Sequence, residues 1–254
     1  TGKLTNKFGI DFENALRIFS RKSNFTHLRI AGLHLHIGSQ ITESGPYIAA
    51  LKKMIKFIDK LKTLDIRLEY LNIGGGMGIV YDKETPQTAA KFAGRIVPLL
   101  KSTGLKIIME PGRFIVGNAG MLVTKVLYVK STPIKKFVIV DAGMNDLIRP
   151  ALYDAYHSIA PVEIRKIQAK EKVDVVGPIC ESGDFLAKER ILPRLAPGEY
   201  LAIFGTGAYG LSMSSNYNSR RRPAEIMVKG NKTFVIRARE SYNDLIRNET
   251  VVTT

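Results

Sequence analysis

The stretch KIIMEPGRFIV, residues 106–116, predicts a parallel-strand fold and a site at the end of one strand. Its apolar run, Ile107 to Met109, predicts a short buried strand. The run ends on Glu110, and Arg113 follows three residues later. Solubility requires neither a carboxylate nor a guanidinium at this place, so we expect both side chains to face a ligand.

Two similar segments precede it, LRIAGLHLHIGSQ (28–40) and LEYLNIGGGMGI (68–79), and each ends in glycine or polar residues. Apolar residues at helical spacing predict helices between these segments, from Pro46 to Leu64 and from Thr88 to Leu100. Strands that alternate with helices indicate parallel β/α units. In β/α barrels, functional groups lie at the C-terminal ends of the strands.

The pattern changes after residue 117 to short β-rich runs separated by turn residues, which is typical of an all-β domain. We therefore predict that residues 1–120 form the last three β/α units of a partial (β/α)8 barrel. Residues 121–254 should form a C-terminal β domain of sandwich or barrel-like type. Three units cannot close a barrel, which needs eight strands and typically ~250 residues.

Composition limits the function classes. The 254 residues carry a net charge of +15 and one cysteine, which excludes an internal disulfide and suits a reducing compartment. No apolar run of about 18 residues predicts a membrane span. The basic residues are mixed with acids, and the cluster Arg220–Arg222 lacks an aromatic-rich or zinc-ligand context. A basic surface that favours anionic ligands is therefore preferred over nucleic-acid binding.

The glycine run Gly74–Gly76 has two interpretations. Glycines leave backbone N–H groups uncovered, so the run can bind a phosphate beside a helix N-terminus. Glycine runs also form ordinary turns, and the spacing alone does not decide between these alternatives. Ser39 ends the neighbouring predicted strand and favours the phosphate interpretation.

Two histidines, His34 and His36, lie two residues apart and therefore on one face of a strand. This spacing suits a metal, but no further Cys, His or Asp cluster supports zinc. His36 is either a core histidine or a ring stacked on a flat cofactor. For His34 the core interpretation is favoured.

The second half contributes further candidates. Arg149 and Tyr153 are four residues apart, either on an exposed loop or as a clamp for a carboxylate. Cys180 stands beside Glu181, and spacing alone favours a small buried hydrophobe over a catalyst. Tyr209 lies in a glycine-flanked turn and is either a packing aromatic or a hydroxyl that reaches a ligand.

Six motifs in register resemble the barrel-type pyridoxal-phosphate-dependent amino-acid decarboxylases. They are GLHLHIGSQ, LNIGGGMGI, EPGRFIVGNAG, DAGMNDLIRPALYDAYH, GPICESGDFLA and GAYGLSMSSNYN, between residues 32 and 218. The resemblance implies pyridoxal 5'-phosphate as cofactor. LIRPALYDAYH with CESGD favours diaminopimelate over ornithine or arginine, which implies decarboxylation of meso-2,6-diaminopimelate to L-lysine.

The resemblance also implies roles for individual residues. Glu110 would hold the ring nitrogen protonated, His36 would stack on the ring, and Cys180 would protonate the carbanion. The implied cofactor contacts are His36, Ser39, Gly74, Gly75, Gly76, Glu110, Gly112, Arg113 and Tyr209. The implied substrate contacts are Arg113, Arg149, Tyr153, Glu181 and Tyr209. No metal is expected.

The family's assembly implies a homodimer in which Cys180 and Glu181 complete the partner's site, in the cytoplasm or, in a plant, the plastid stroma. One departure is the Schiff-base lysine of a YAxKAN-like strand end, which has no counterpart here; neither Lys91 nor Lys188 is assigned that role. About five β/α units of ~30 residues would precede the chain. We expect the isolated chain to be inactive.

Three alternatives stay open at this point. The substrate could be ornithine, arginine or carboxynorspermidine instead of diaminopimelate. The chain could belong to a non-catalytic homologue that binds protein partners. Nucleic-acid binding rests on charge alone.

Overall fold

The computed structural model describes residues 7–163 and 169–252, and divides the chain into two compact units at Val116/Gly117. The first six residues of the predicted barrel part lie outside the described residues, and so do residues 164–168 and the last two residues of the predicted β domain. None of the helices within the described ranges is long and apolar enough to cross a bilayer. Each unit has its own apolar core.

The N-terminal unit alternates helices and strands, as the sequence predicts. Its helices are α1 (Phe12–Ser20), α2 (Gly45–Thr63), α3 (Ala89–Lys101) and α4 (Gly112–Val116), and its strands are β1 (Gly32–His34), β2 (Tyr70–Asn72) and β3 (Lys106–Ile108). The strands form one parallel sheet in the order β1-β2-β3. Their C-terminal ends therefore lie at the same edge of the sheet.

Caps and apolar faces explain the helices of this unit. The Asp11 side chain accepts a hydrogen bond from the Asn14 N–H at the start of α1, and Thr88 caps α3 in the same way. The buried face of α2 includes Leu51, Ile58 and Leu61, the period expected of an amphipathic helix. This face packs against the sheet in the core of the unit.

The prediction that Ile107 to Met109 form a buried strand is wrong. The side chains of β3 are exposed, with Ile108 at 42%. The strand pairs with β2 on one side and lies at the edge of the three-stranded sheet. An edge strand has a neighbour on one side only, so less of the chain surrounds it than surrounds a central strand.

The C-terminal unit consists mainly of strands. They are β4 (Met121–Ser131), β5 (Lys136–Val140), β6 (Ile159–Pro161), β7 (Lys170–Val176), β8 (Phe185–Pro193), β9 (Tyr200–Phe204), β10 (Glu225–Lys229) and β11 (Lys232–Arg237), with short helices α5 (Arg149–Tyr153) and α6 (Tyr242–Ile246). Six strands form a mixed sheet in the order β6-β9-β4-β5-β7-β8, and β10 pairs with β11. The sequence predicted neither β6 nor β8. A strand interior of Lys188, Glu189 and Arg190, with a register shift against β7, hides the alternation of β8.

Candidate active site

The ends of the three parallel strands come together at the glycine run. A Cβ atom on Gly75 would lie closer than 3.0 Å to the Glu110 carbonyl oxygen, and one on Gly76 equally close to that of Gly38. A Cβ atom on Gly74 would meet the Leu35 carbonyl oxygen in the same way. No side chain can be accommodated at these distances, so the glycines allow the neighbouring strand ends to approach.

Two amides of the run already have partners within the protein. The Gly74 N–H donates to Asn72 Oδ1 at 2.9 Å, and the Gly75 N–H donates to His36 Nδ1 at 3.3 Å. The Gly75 carbonyl accepts a hydrogen bond from the Tyr47 hydroxyl at 2.8 Å, and burial raises the pKa of Tyr47 to about 12. All three amides were predicted to be uncovered, but the hydrogen bonds of two of them link residues of the site to each other.

Glu110 lies at the end of β3 with its carboxylate held from two sides. Asn72 Nδ2 donates to Glu110 Oε1 at 2.7 Å, and His34 Nε2 lies 3.4 Å from the same oxygen. The core interpretation of His34 is wrong, because its side chain is half exposed and faces this carboxylate. Neither Asn72 nor His34 was predicted as part of the site. Their position at the ends of β1 and β2, in register with Ile108 just before Glu110, is the signal that could have indicated them.

The guanidinium of Arg113, in the first turn of α4, joins two hydroxyl groups. Its Nη1 donates to the Tyr81 hydroxyl at 2.5 Å and its Nη2 to Ser39 Oγ at 3.0 Å. Ser39 and Arg113 were both predicted, and the fold brings them into contact. Tyr81 is buried and was not predicted. Gly112 has open space where a Cβ atom would lie, so close packing does not explain that glycine.

The C-terminal unit holds the other predicted residues. Cys180 and Glu181 lie in a loop that is folded around the Asp184 carboxylate. Asp184 accepts hydrogen bonds from the N–H groups of Met144 at 2.6 Å and Ile179 at 2.7 Å. Burial raises the pKa of Asp184, and these two hydrogen bonds act in the opposite direction.

Within this loop Cys180 is exposed, so the buried-hydrophobe interpretation of its spacing is wrong. The Tyr217 hydroxyl donates to Glu181 Oε2 at 3.4 Å, and the Gly183 N–H donates to Oε1 at 3.2 Å. An exposed thiol beside an oriented carboxylate can exchange a proton with a bound molecule. Tyr217 was not singled out from the sequence.

Arg149 and Tyr153 begin and end the five-residue helix α5. Arg149 is buried, and its Nη1 lies 2.8 Å from Nε2 of the fully buried His157. Tyr153 is 62% exposed. The exposed-loop interpretation is therefore wrong for both residues, since they belong to a helix, although the Tyr153 side chain is exposed. Tyr209 lies in its turn with φ of 66°, an uncommon conformation for a non-glycine residue, and is partly exposed.

The side chains of the basic cluster Arg220–Arg222 mostly contact other residues of the protein. Arg220 Nε donates to Asn145 Oδ1 at 3.1 Å, and Arg222 Nη1 pairs with Glu240 Oε1 at 2.9 Å. These contacts leave little of the cluster to act as a nucleic-acid surface. No group of three or more His, Cys, Asp and Glu side chains suited to a metal ion occurs in the parts of the chain that the structure describes.

Comparison with known proteins places these observations in a family. A family model described as pyridoxal-dependent decarboxylase, C-terminal sheet domain, matches residues 31–207. The chain is 46% identical over 247 residues to the diaminopimelate decarboxylase of Aquifex aeolicus, covering 97% of this chain and 59% of that protein. It is 46% identical over 253 residues to that of Vibrio cholerae, covering 99% and 60%.

A solved structure gives the same result. Diaminopimelate decarboxylase from Helicobacter pylori complexed with L-lysine matches with a TM-score of 0.91 at 43% identity, over 98% of this chain and 62% of that one. The chain thus spans about 60% of the length of the relatives it matches. The fold class predicted from the sequence, part of the decarboxylase barrel followed by a sheet domain, is confirmed. The chain belongs to the pyridoxal-dependent decarboxylase family.

Proposed function

We propose that this chain is part of a diaminopimelate decarboxylase, which converts meso-2,6-diaminopimelate to L-lysine and carbon dioxide in the cytoplasm. The observation that carries the proposal is the direct contact of Gly75 with both His36 and Glu110 at the strand ends. Relatives named for this activity, and one solved with L-lysine, support the choice of substrate. The activity is proposed for the full-length protein that carries this chain.

The residues present fit a flat phosphorylated pyridine. Ser39 Oγ and the Arg113 guanidinium form a hydroxyl–cation pair suited to a phosphate. The Glu110 carboxylate suits a protonated ring nitrogen. We assign its Oε2 to that nitrogen because Asn72 and His34 both contact Oε1. When bound, pyridoxal phosphate accepts the electron pair that the departing carboxylate leaves behind.

Each side chain then has a defined task. Glu110 keeps a proton on the ring nitrogen, which strengthens the electron sink; every ~1.4 kcal/mol of transition-state stabilisation raises the rate about tenfold. His36 stacks on the ring, and its orientation is fixed because its Nδ1 accepts a hydrogen bond from the Gly75 N–H. Ser39, Arg113 and the glycine run Gly74–Gly76 hold the phosphate. Gly112 allows the start of α4 to approach it.

The C-terminal unit supplies the substrate contacts in this proposal. Arg149 and Tyr153 bind the remote carboxylate together with Arg113, and Glu181 binds the remote amine. Cys180, exposed and next to Glu181, returns a proton to the carbon that lost carbon dioxide. Tyr209 contacts cofactor and substrate. We further propose a homodimer in which Cys180 and Glu181 of one subunit complete the site of the other.

The test is carbon dioxide release by the full-length protein from meso-diaminopimelate, ornithine, arginine and carboxynorspermidine, each with pyridoxal phosphate. We expect diaminopimelate to react with the highest kcat/KM. A Cys180→Ala variant should lose about 10²–10⁴-fold in kcat, the usual contribution of a general acid. Faster release from another substrate, or a protein without cofactor absorbance, would refute the proposal. The isolated 254-residue chain should release none, because the lysine that anchors the cofactor has no counterpart in it.

A further inference from the structure

A buried histidine lies against the guanidinium that the proposed function assigns to the substrate's remote carboxylate. His157 has no exposed surface and Arg149 is 7% exposed. The two imidazole nitrogens have separate partners: Nε2 lies 2.8 Å from Arg149 Nη1, and Nδ1 lies 2.8 Å from the Phe204 carbonyl oxygen. The proposed function assigns no role to His157.

These partners determine the tautomer of His157. A backbone carbonyl only accepts hydrogen bonds and a guanidinium only donates them. The proton must therefore be on Nδ1, where it is donated to Phe204, and Nε2 must present its lone pair to Arg149. Both contacts are satisfied only by the neutral ring.

The backbone fixes the ring in place. His157 lies two residues before the start of β6, which pairs with β9 through Ile159 and Ile203. The Phe204 N–H donates to the Ser158 carbonyl at 2.9 Å. The carbonyl that holds the ring thus belongs to β9, the strand that pairs with β6 just after the histidine. The ring position is set by the sheet and does not depend on a mobile loop.

We propose that His157 is a positioning residue that orients Arg149 for the remote carboxylate of the substrate without placing a negative charge beside it. The inference rests on the proposed function. An arginine has five N–H donors, so donating one to His157 is compatible with a bidentate grip on a carboxylate. An acidic residue at position 157 would also orient the guanidinium, but it would compete with the anionic substrate for the positive charge.

Three substitutions separate the parts of this role. His157→Asn retains a donor near the Nδ1 position, for Phe204, but loses the acceptor for Arg149. His157→Gln places an amide oxygen near the Nε2 position and restores a neutral acceptor. His157→Glu offers an acceptor of the same length that carries a negative charge. A purely structural role would be served by Glu at least as well as by Gln.

The test uses the full-length protein loaded with pyridoxal phosphate and measures steady-state kinetics with diaminopimelate and calorimetric binding of two ligands. L-Lysine retains the remote carboxylate, and 1,5-diaminopentane lacks it. We expect His157→Asn and His157→Glu to raise KM and the lysine Kd about tenfold, with kcat within about threefold. His157→Gln should stay within about threefold of the unsubstituted protein. Diaminopentane binding should be the same in all four proteins.

Equal lysine affinity in the Asn variant and the unsubstituted protein would overturn the proposal, and so would a Glu variant that matches the Gln variant. If the Asn variant does not fold, the comparison of Gln with Glu carries the test. Failure of the unsubstituted protein to decarboxylate diaminopimelate refutes the proposed function, while the lysine and diaminopentane affinities still decide the role of His157.

Discussion

Asn72 donates its side-chain amide to Glu110 across 2.7 Å while its carbonyl oxygen accepts the Gly74 N–H across 2.9 Å. One side chain therefore links the proposed ring-nitrogen carboxylate to the glycine run. The orientation of its amide is determined, because the Gly74 N–H can only donate. Asn72 sets the spacing between these two parts of the proposed cofactor site.

Replacing Asn72 by Asp should weaken cofactor binding in the full-length protein. Aspartate keeps an acceptor for Gly74 but loses the donor to Glu110 and places two carboxylates side by side, which is unfavourable. We expect at least an approximately tenfold higher Kd for pyridoxal phosphate, the equivalent of one lost hydrogen bond to a charged group. Absorbance titration of the cofactor measures it. The exposed Asn24→Asp variant is the charge-matched control, and equal affinities in the two variants would contradict the role.

Arg113 is expected not to tolerate lysine. A guanidinium reaches the Tyr81 and Ser39 hydroxyls at the same time, whereas an ammonium group is a single point on a flexible chain. Arg113→Lys should raise the Kd for pyridoxal phosphate about tenfold or more, and Tyr81→Phe should raise it less. The same change at the exposed Arg67 should have no effect on the titration. A lysine variant that binds normally would remove Arg113 from the phosphate site.

Gly75→Ala should destabilise the N-terminal unit because the new methyl group would collide with the Glu110 backbone. Overpacking of this kind costs about 1–3 kcal/mol in the free energy of unfolding. Gly94, exposed in the interior of α3 with open space around it, gives the opposite expectation. Gly94→Ala should stabilise by up to about 1 kcal/mol, as alanine favours helix. Urea unfolding of both variants checks the pair, and a neutral Gly75→Ala would show that the strand ends can separate.

The decrease in the stability of the folded protein at low pH should depend in part on Glu240. The Arg222 N–H is the largest cause that lowers its pKa from the ordinary 4.5, assisted by the side chains of Asn216 and Arg222 and opposed by burial. A carboxylate whose pKa is lowered on folding stabilises the protein above its unfolded pKa, and this contribution is lost as the pH falls through the folded pKa. The melting temperature of Glu240→Gln should therefore lie below that of the parent at pH 7, and the difference should shrink as the pH falls below the ordinary pKa of 4.5. The exposed Glu249→Gln serves as control; a difference that does not change with pH would contradict the linkage.

Much of the fold follows from the spacing of apolar residues and from the proline and glycine residues that mark the ends of helices and strands. The helix expected from Pro46 to Leu64 is α2, at Gly45–Thr63, because its apolar spacing and early proline are local signals. β8 escaped prediction because its charged interior and register shift hide the alternation on which strand prediction depends.

The sequence indicated which residues belong to the candidate site better than it indicated which residues they contact. Quoted motifs marked Glu110, Arg113 and Cys180, but tertiary partners such as Asn72 and Tyr81 are defined only when separate strand ends meet. His157 belongs to one of those motifs but was not predicted as a site residue, since nothing local indicates that its ring faces Arg149.

The crowding at Gly74, Gly75 and Gly76 has a consequence for how such runs are interpreted in other proteins. A descendant that abandoned the chemistry would still be unable to insert side chains between these strand ends, so crowding alone would keep all three glycines. The glycine run therefore indicates how closely the strand ends pack. In an enzyme that has lost its activity, replacement would occur first at Cys180, where the exposed loop tolerates it.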